Sequence, residues 1–203
     1  MPKKVDAAAR RRDVVDALFR VAERDGLARV SLRTVADEAG LNLGSLRHYF
    51  ASQQELMRFA MQAMIDQVSD RLQAHVDRIG SLGELTRRGR VAPATELLAE
   101  LLPLDDERRA EFAVFLDFTA HARTHPELRD LAVRSATGSR TLIRRVVTRL
   151  LADSACTEEI ELATEQLASL VDGLGVNATL YPEVLTASRA REVLHAHLAS
   201  LAC

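Results

Sequence analysis

Between residues 31 and 56 the chain reads SLRTVADEAGLNLGSLRHYFASQQEL, punctuated as two short helices meeting across a three-residue turn with a third helix starting behind them. Leu32, Val35, Ala36 and Ala39 are spaced 3, 1 and 3, which puts them on one helical face. Ser31 stands where an N-cap oxygen is needed. Gly40 follows the last periodic residue, where a left-handed position favours glycine, and Asn42 is placed to cap the next helix. Leu41 and Leu46 occupy the positions of a hydrophobic staple around that cap. The second helix is expected over Leu43 to Phe50, with Leu46 and Phe50 turned inward and Ser45, Arg47 and His48 on a polar face. Ser52 and Glu55 form an S-x-x-E capping box that opens a long third segment.

The remainder also reads as helix, so the fold class is all-α. From Asp6 to Arg24, Val14, Val15, Leu18, Phe19 and Ala22 give an amphipathic helix that stops at Gly26, completing a three-helix unit. From Ser52 to Ile79 the apolar pattern runs without Pro or Gly, and at 1.5 Å per residue that helix would be roughly 40 Å long. Gly80, Gly83, Gly89 and Pro93 punctuate a loose, mobile stretch that also holds Arg87, Arg88 and Arg90. Helices are then expected over about Pro93 to Leu102, Asp105 to Thr124 and onward from Pro126 to about Ala152. Two more follow, from a Thr157 cap to Ala178 and over Ser188 to Leu201, for about nine in all. Gly173 and Gly175 would permit close approach of another backbone, and the last two helices suit a two-fold, four-helix interface as well as packing within one chain. The division expected is a helix-turn-helix domain over 1–51 and a ligand-binding and dimerisation domain over 52–203.

Charge supports an uneven chain. Residues 1–60 carry 11 Lys+Arg against 8 Asp+Glu, a net of +3, whereas the whole chain has a net charge of -2, so the body is acidic. Cys156 and Cys203 have no metal-type spacing and suit a reducing cytoplasm, and no apolar run approaches the roughly 18 residues a membrane span needs. The histidines are read as offering no metal-type pair, and His195 and His197, two apart, fall on different helix faces. There is no Gly-rich phosphate loop, no G-x-S-x-G elbow and no evident Cys and His nucleophile, so neither an enzyme nor a cofactor is indicated.

The segment from Ser31 to Leu56, above all AGLNLGSLRHYFASQQEL, resembles the signature of the TetR family of transcriptional regulators. The body is similar to the choline-responsive, BetI-like branch through LLPLDDERRAEF, HPELR and LVDGL. The resemblance spans about residues 8 to 201. It implies a cytoplasmic homodimeric repressor that binds a near-palindromic double-stranded DNA operator and is released by a small-molecule effector. It also implies that Gly44, Ser45, Arg47, His48 and Tyr49 touch bases or phosphates, together with Arg33 from the preceding helix. Leu43 and Gln53 depart from the family, which often has Lys at both places. Leu43 can instead meet a thymine methyl, while the helix start at Ser52 and Gln53 offers N–H groups to a phosphate. Lys3, Lys4 and Arg10 to Arg12 are either a basic arm or a solvated helix face.

In the body, EFAVFLDFTAHA is apolar around most of its circumference and should be buried on several sides. Phe115, Phe118 and His121, the last paired with Asp117 at i, i+4, are candidate pocket residues, joined by Asp172 and Asn177. A satisfied core explains the same residues. Two other classes fit the chain: a helical small-molecule binding protein without operator regulation, and an all-α enzyme.

Overall fold

A computed structural model describes residues 7–79, 85–151 and 155–202. Among these, nine α-helices follow one another and no strand occurs. They are α1 (Ala7–Asp25), α2 (Leu32–Glu38), α3 (Leu43–Arg47), α4 (Gln53–Ile79), α5 (Val91–Ala99), α6 (Asp106–His121), α7 (Pro126–Leu150), α8 (Thr157–Leu180) and α9 (Ala187–Leu201). Lys3, Lys4, Gly80, Gly83, Ala152 and Cys203 lie outside the described residues.

The helix ends follow from local chemistry. Gly40 adopts φ 64, its N–H donates to Asp37 O, and the Leu41 N–H donates to Ala36 O at 2.9 Å, a Schellman closure of α2. A Cβ on Gly40 would meet nothing within 4 Å, so only the backbone conformation would resist a side chain. Gly40→Ala should therefore destabilise the chain by about 1 to 2 kcal/mol, read as a lower urea midpoint with an unchanged slope. Pro93 falls in the first turn of α5, where a missing N–H is tolerated, so that helix starts two residues earlier than the proline alone suggested. It is preceded by a 3₁₀ turn over Arg88–Arg90, which makes the basic part of the expected loop helical. At α8 the cap is Cys156 rather than Thr157: the Cys156 N–H donates to Glu159 Oε2 at 2.8 Å, and Thr157 is the first helical residue.

Contacts divide the chain into two compact units, one of residues 1–66 and 113–132, the other of 67–112 and 133–203. In the first, Val14, Leu18 and Val21 of α1, Val35 of α2, Leu46, Phe50, and Leu56, Ala60 and Met61 of α4 share one core. Val114 and Phe118 of α6 and Ala122 just after it, with Leu128 and Leu131 of α7, complete it. The helix-turn-helix thus rests on apolar residues far from it in sequence. The buried residues of that stretch, Val114 and Phe118 in α6 and Ala122 just past its end, form one stripe at i, i+4 and i+8, while Thr119 and Ala120 are exposed. The expectation of burial on several sides is corrected: intervening Asp, Thr and His positions remain near water.

The second unit is built on Leu98 of α5, Ile143, Val147 and Leu150 of α7, Leu167, Val171 and Leu174 of α8, and Leu194 and Leu198 of α9. Gly175 receives the ring of Phe112, a side chain rather than the backbone expected, and Gly173 has no neighbour within 4 Å of an added Cβ. A half-buried ionic cluster holds the later part of α4. Arg71 donates to Glu111 at 2.9 Å and lies 3.2 Å from Glu100, and Arg108 also reaches Glu100.

Candidate nucleic-acid interface

The reading candidate is built from three caps. Ser31 Oγ accepts the Thr34 N–H at 3.1 Å while Thr34 Oγ1 accepts the Ser31 N–H at 2.9 Å, a reciprocal box that starts α2. Asn42 Oδ1 accepts the Ser45 N–H at 2.7 Å and starts α3. Ser52 Oγ accepts the Glu55 N–H at 3.1 Å at the start of α4. There the expected box is altered: Glu55 Oε2 accepts the Ala51 N–H at 2.9 Å, one residue before the cap.

The second helix is shorter than the sequence suggested. Regular α-helix ends at Arg47, and the chain tightens through His48 and Tyr49, whose N–H groups donate to Ser45 O and Leu46 O, three residues back. Phe50 still closes on Leu46 O at 3.1 Å and is fully buried with it. This corner turns the helix without exposing its apolar side.

The outward residues form a mixed polar and cationic set. Arg33, Leu43, Gly44, Arg47, His48 and Gln53 are exposed, and Ser45, Tyr49 and Ser52 are half-buried. Arg33 and Arg47 have no ion pair among the described residues, whereas Arg20 and Arg24 both bind Glu38, at 2.9 and 3.0 Å. Hydrogen bonds from Arg20 and then Arg24 hold the Glu38 carboxyl below its ordinary range. A Cβ on Gly44 would stand 3.3 Å from Asn42 Oδ1, so the glycine keeps the cap uncrowded. Gln53 Nε2 donates to Val30 O at 2.9 Å, tying the start of α4 to the segment before α2. The amide that stands where the family often has Lys is therefore engaged with the protein. Tyr49 packs its ring against the core.

Of the three consecutive arginines, Arg10 pairs with Asp13 at 3.3 Å and Arg12 is exposed. Arg11 is neither arm nor solvated face: its guanidinium carbon lies 4.5 Å from the Phe50 ring centre and 4.6 Å from that of Phe59. Its position one turn before Val14 and Val15, on the face that continues to Leu18 and Ala22, was the available sequence signal.

Farther along the first unit, Arg58 of α4 donates to both carboxylate oxygens of Asp130 at 2.5 and 2.6 Å and to Glu127 O at 2.6 Å. This fork takes the Asp130 carboxyl down to about 2. A depressed carboxylate pKa stabilises the fold above the unfolded value of about 3.9 and loses that effect as pH falls through about 2. Melts of wild type and Asp130→Asn should therefore differ most above about pH 4 and converge toward about pH 2. A constant difference across that window would deny the fork its role.

The ligand candidates divide between the two units. Phe118 is fully buried in the first core and Phe115 packs against it. His121 stacks on His125 with ring centres 4.2 Å apart, while Asp117, its expected partner, accepts the Leu27 N–H at 3.3 Å. His121 and His125 are themselves an H-x-x-x-H pair, a correction to the reading of the histidines as offering none. The His125 Nδ1 lies 3.0 Å from His121 O, and no group of three metal-type ligands occurs among the described residues. Asp172 and Asn177 lie on the accessible side of α8, where the Asn177 amide donates to Gly173 O at 2.7 Å. Desolvation pushes the Asp172 carboxyl up, with Arg140 opposing and Glu165 reinforcing the shift.

Residues 14–58 match the family model for bacterial regulatory proteins of the tetR family, and residues 90–202 match that for the C-terminal part of BetI-type transcriptional repressors. The chain is 34% identical over 202 residues to the HTH-type transcriptional regulator PksA of Bacillus subtilis, covering 99% of this chain and 94% of that one. A transcriptional regulator from a Rhodococcus species superposes with a TM-score of 0.79 at 26% identity, covering 94% of this chain and 95% of the other. The multidrug binding protein EbrR complexed with ethidium superposes with a TM-score of 0.65 at 25% identity, covering 93% and 98%.

Proposed function

The chain belongs to the tetR family of bacterial regulatory proteins, with a BetI-type C-terminal domain, and from that premise we propose that it is a cytoplasmic, homodimeric repressor released from a palindromic operator by a small-molecule effector. The observation that carries the DNA reading is α3 itself. A capped helix presents Arg47 and His48 outward, with Ser45 half-buried beside them, over a buried Leu46 and Phe50, and Arg33 stands on the preceding helix. Arginine can grip guanine O6 and N7 or a phosphate, and serine and histidine can donate or accept at base edges. Leu43, exposed at the first turn, suits a thymine methyl, and Gly44 allows close approach of a sugar-phosphate backbone. Tyr49, Ser52 and Gln53 are assigned to the phosphates, Gln53 through the N–H groups of the helix start because its side-chain amide is held by Val30 O. Residues 1–51 are assigned as the DNA-binding domain, with phosphate contacts continuing onto the first residues of α4, and 52–203 as the domain for effector and partner.

Exposed Leu162 and Leu180 on α8, with Val184 beyond it, support a second copy as the occupant of that face. Two reading heads then need half-sites about 34 to 36 Å apart, or a multiple. The effector class is supported by the BetI-type match and by the multidrug relative solved with ethidium. An effector that binds better to a dimer with mismatched heads shifts the population away from DNA, and α4, which starts directly behind the reading corner, is the element assigned to carry that change.

The test is selection of duplexes from a random library by the full chain, followed by binding across salt concentrations. A near-palindromic consensus with a steep salt dependence is expected. Failure to enrich any palindrome, with no specific binding to DNA flanking its own gene, would leave the alternative of a small-molecule binder without an operator.

A further inference from the structure

We infer that Arg11 is a positioning residue of the reading head, fixing the corner between α3 and α4 instead of neutralising a phosphate. One side chain from α1 meets both sides of that corner. Its guanidinium lies against the rings of both Phe50, just after α3, and Phe59 in α4, which form an edge-to-face pair with centres 5.4 Å apart and planes at 63°. Its Nη2 donates to Glu55 Oε1 at 3.1 Å, and the other carboxylate oxygen of Glu55 accepts the Ala51 N–H at 2.9 Å. The Glu55 N–H in turn donates to Ser52 Oγ. Arg11 therefore closes a chain of contacts from α1 through Glu55 to the backbone joining the two helices. Charge-assisted hydrogen bonds and cation–π attraction both strengthen where water is partly excluded, and the buried Arg11 Nε without an acceptor marks that exclusion.

Neighbouring Arg10 and Arg12 do none of this, so the basic character of the segment is not the reason for Arg11. Lysine would keep the charge but lose the broad, flat guanidinium that touches both rings and the fork that reaches Glu55 at the same time. The angle at which α3 leaves the core depends on Phe50 and Ala51 being held, and precise geometry in a binding site depends on such supporting residues.

The inference rests on α3 being the DNA reader, and two measurements on the full chain separate them. Amide exchange at Ala51 should accelerate about tenfold in Arg11→Ala relative to the Thr34 amide, whose cap Arg11 does not touch. Operator affinity should fall about tenfold, with the slope of log K against log salt unchanged, because Arg11 neutralises no phosphate. Arg11→Lys should recover only a minor part of both effects. Phe59→Leu, which keeps Arg11 and removes one ring, should accelerate the same amide and serves as the variant if Arg11→Ala loses helical signal. A salt slope shallower by about 0.9 per subunit would make Arg11 a phosphate ligand and overturn the inference. So would unchanged exchange at Ala51, or full recovery by lysine. If the wild-type chain selects no duplex, the DNA reading fails, and exchange at Ala51 still decides whether Arg11 holds the corner.

Discussion

Gly175→Ala should lower the thermal midpoint of the full chain by about 4 to 8 °C, corresponding to about 2 kcal/mol of overpacking in a domain of this size. An added Cβ would stand 2.7 Å from Phe112 Cε2 and 3.1 Å from Cε1, and closer still to Cζ. No aromatic carbon tolerates that approach, and the ring moves only as a plate between staggered wells or by pushing α6 away from α8. Alanine would gain up to about 1 kcal/mol of helix propensity over glycine, which offsets part of the clash and sets the lower figure. Gly173, two residues earlier in the same helix, supplies the control. Nothing lies within 4 Å of its added Cβ, so Gly173→Ala should leave the protomer unchanged or more stable by up to about 1 kcal/mol. Phe112→Leu combined with Gly175→Ala should be less destabilised than the two single effects added together, because the changes act on one shared packing site. A midpoint that rises in Gly175→Ala would place Phe112 elsewhere.

The contrast between these glycines shows where sequence reading stops. Ser31, Gly40, Asn42 and Ser52 were legible because a cap is settled among residues within about four positions. The partner of Gly175 lies on another helix, far away in sequence, and no periodicity in α8 announces it. Arg11 is intermediate. Its place on the core face of α1 can be read from the spacing to Val14, Val15 and Leu18, but its engagement with Phe50, Glu55 and Phe59 depends on how α1 meets α4. The reading helix ends at Arg47 and tightens because the chain must bring Phe50 back beneath Leu46, a tertiary demand that residues 43–50 alone do not express. Long-range polar contacts, such as Gln53 on Val30 and Arg58 on Asp130, were invisible for the same reason.

These contacts also sort the arginines of the head by task. Arg11, Arg20, Arg24 and Arg58 each hold a carboxylate of the same unit, so removing any of them takes a partner from an acid. Their replacement would be read first as altered stability or geometry. Arg33 and Arg47 are exposed and hold no acid among the described residues, as is also true of Arg12 and Arg29, so their replacement takes no partner from a carboxylate.

Arg47→Ala should therefore separate binding from folding. As an exposed residue without an ion pair among the described residues, Arg47 should change stability by no more than about 0.5 kcal/mol when replaced, including its small favourable interaction with the end of α3. Operator affinity should instead fall by about 1 to 3 kcal/mol, roughly 5- to 150-fold, at constant salt. If the guanidinium forks onto guanine O6 and N7, the effect is confined to operators carrying that guanine, and the variant becomes indifferent to the base at one position of each half-site. If it meets a phosphate, affinity falls alike for every operator variant, and the salt slope becomes shallower by about 0.9 for each phosphate no longer neutralised. Titrations of wild type and variant against single-base operator substitutions at two salt concentrations distinguish the outcomes, and wild-type affinity of the variant for all of them would remove Arg47 from the interface. Arg33→Ala, measured beside it, tests whether α2 contributes a second reading residue or only backbone attraction: the positions at which each variant relaxes must differ if both read bases.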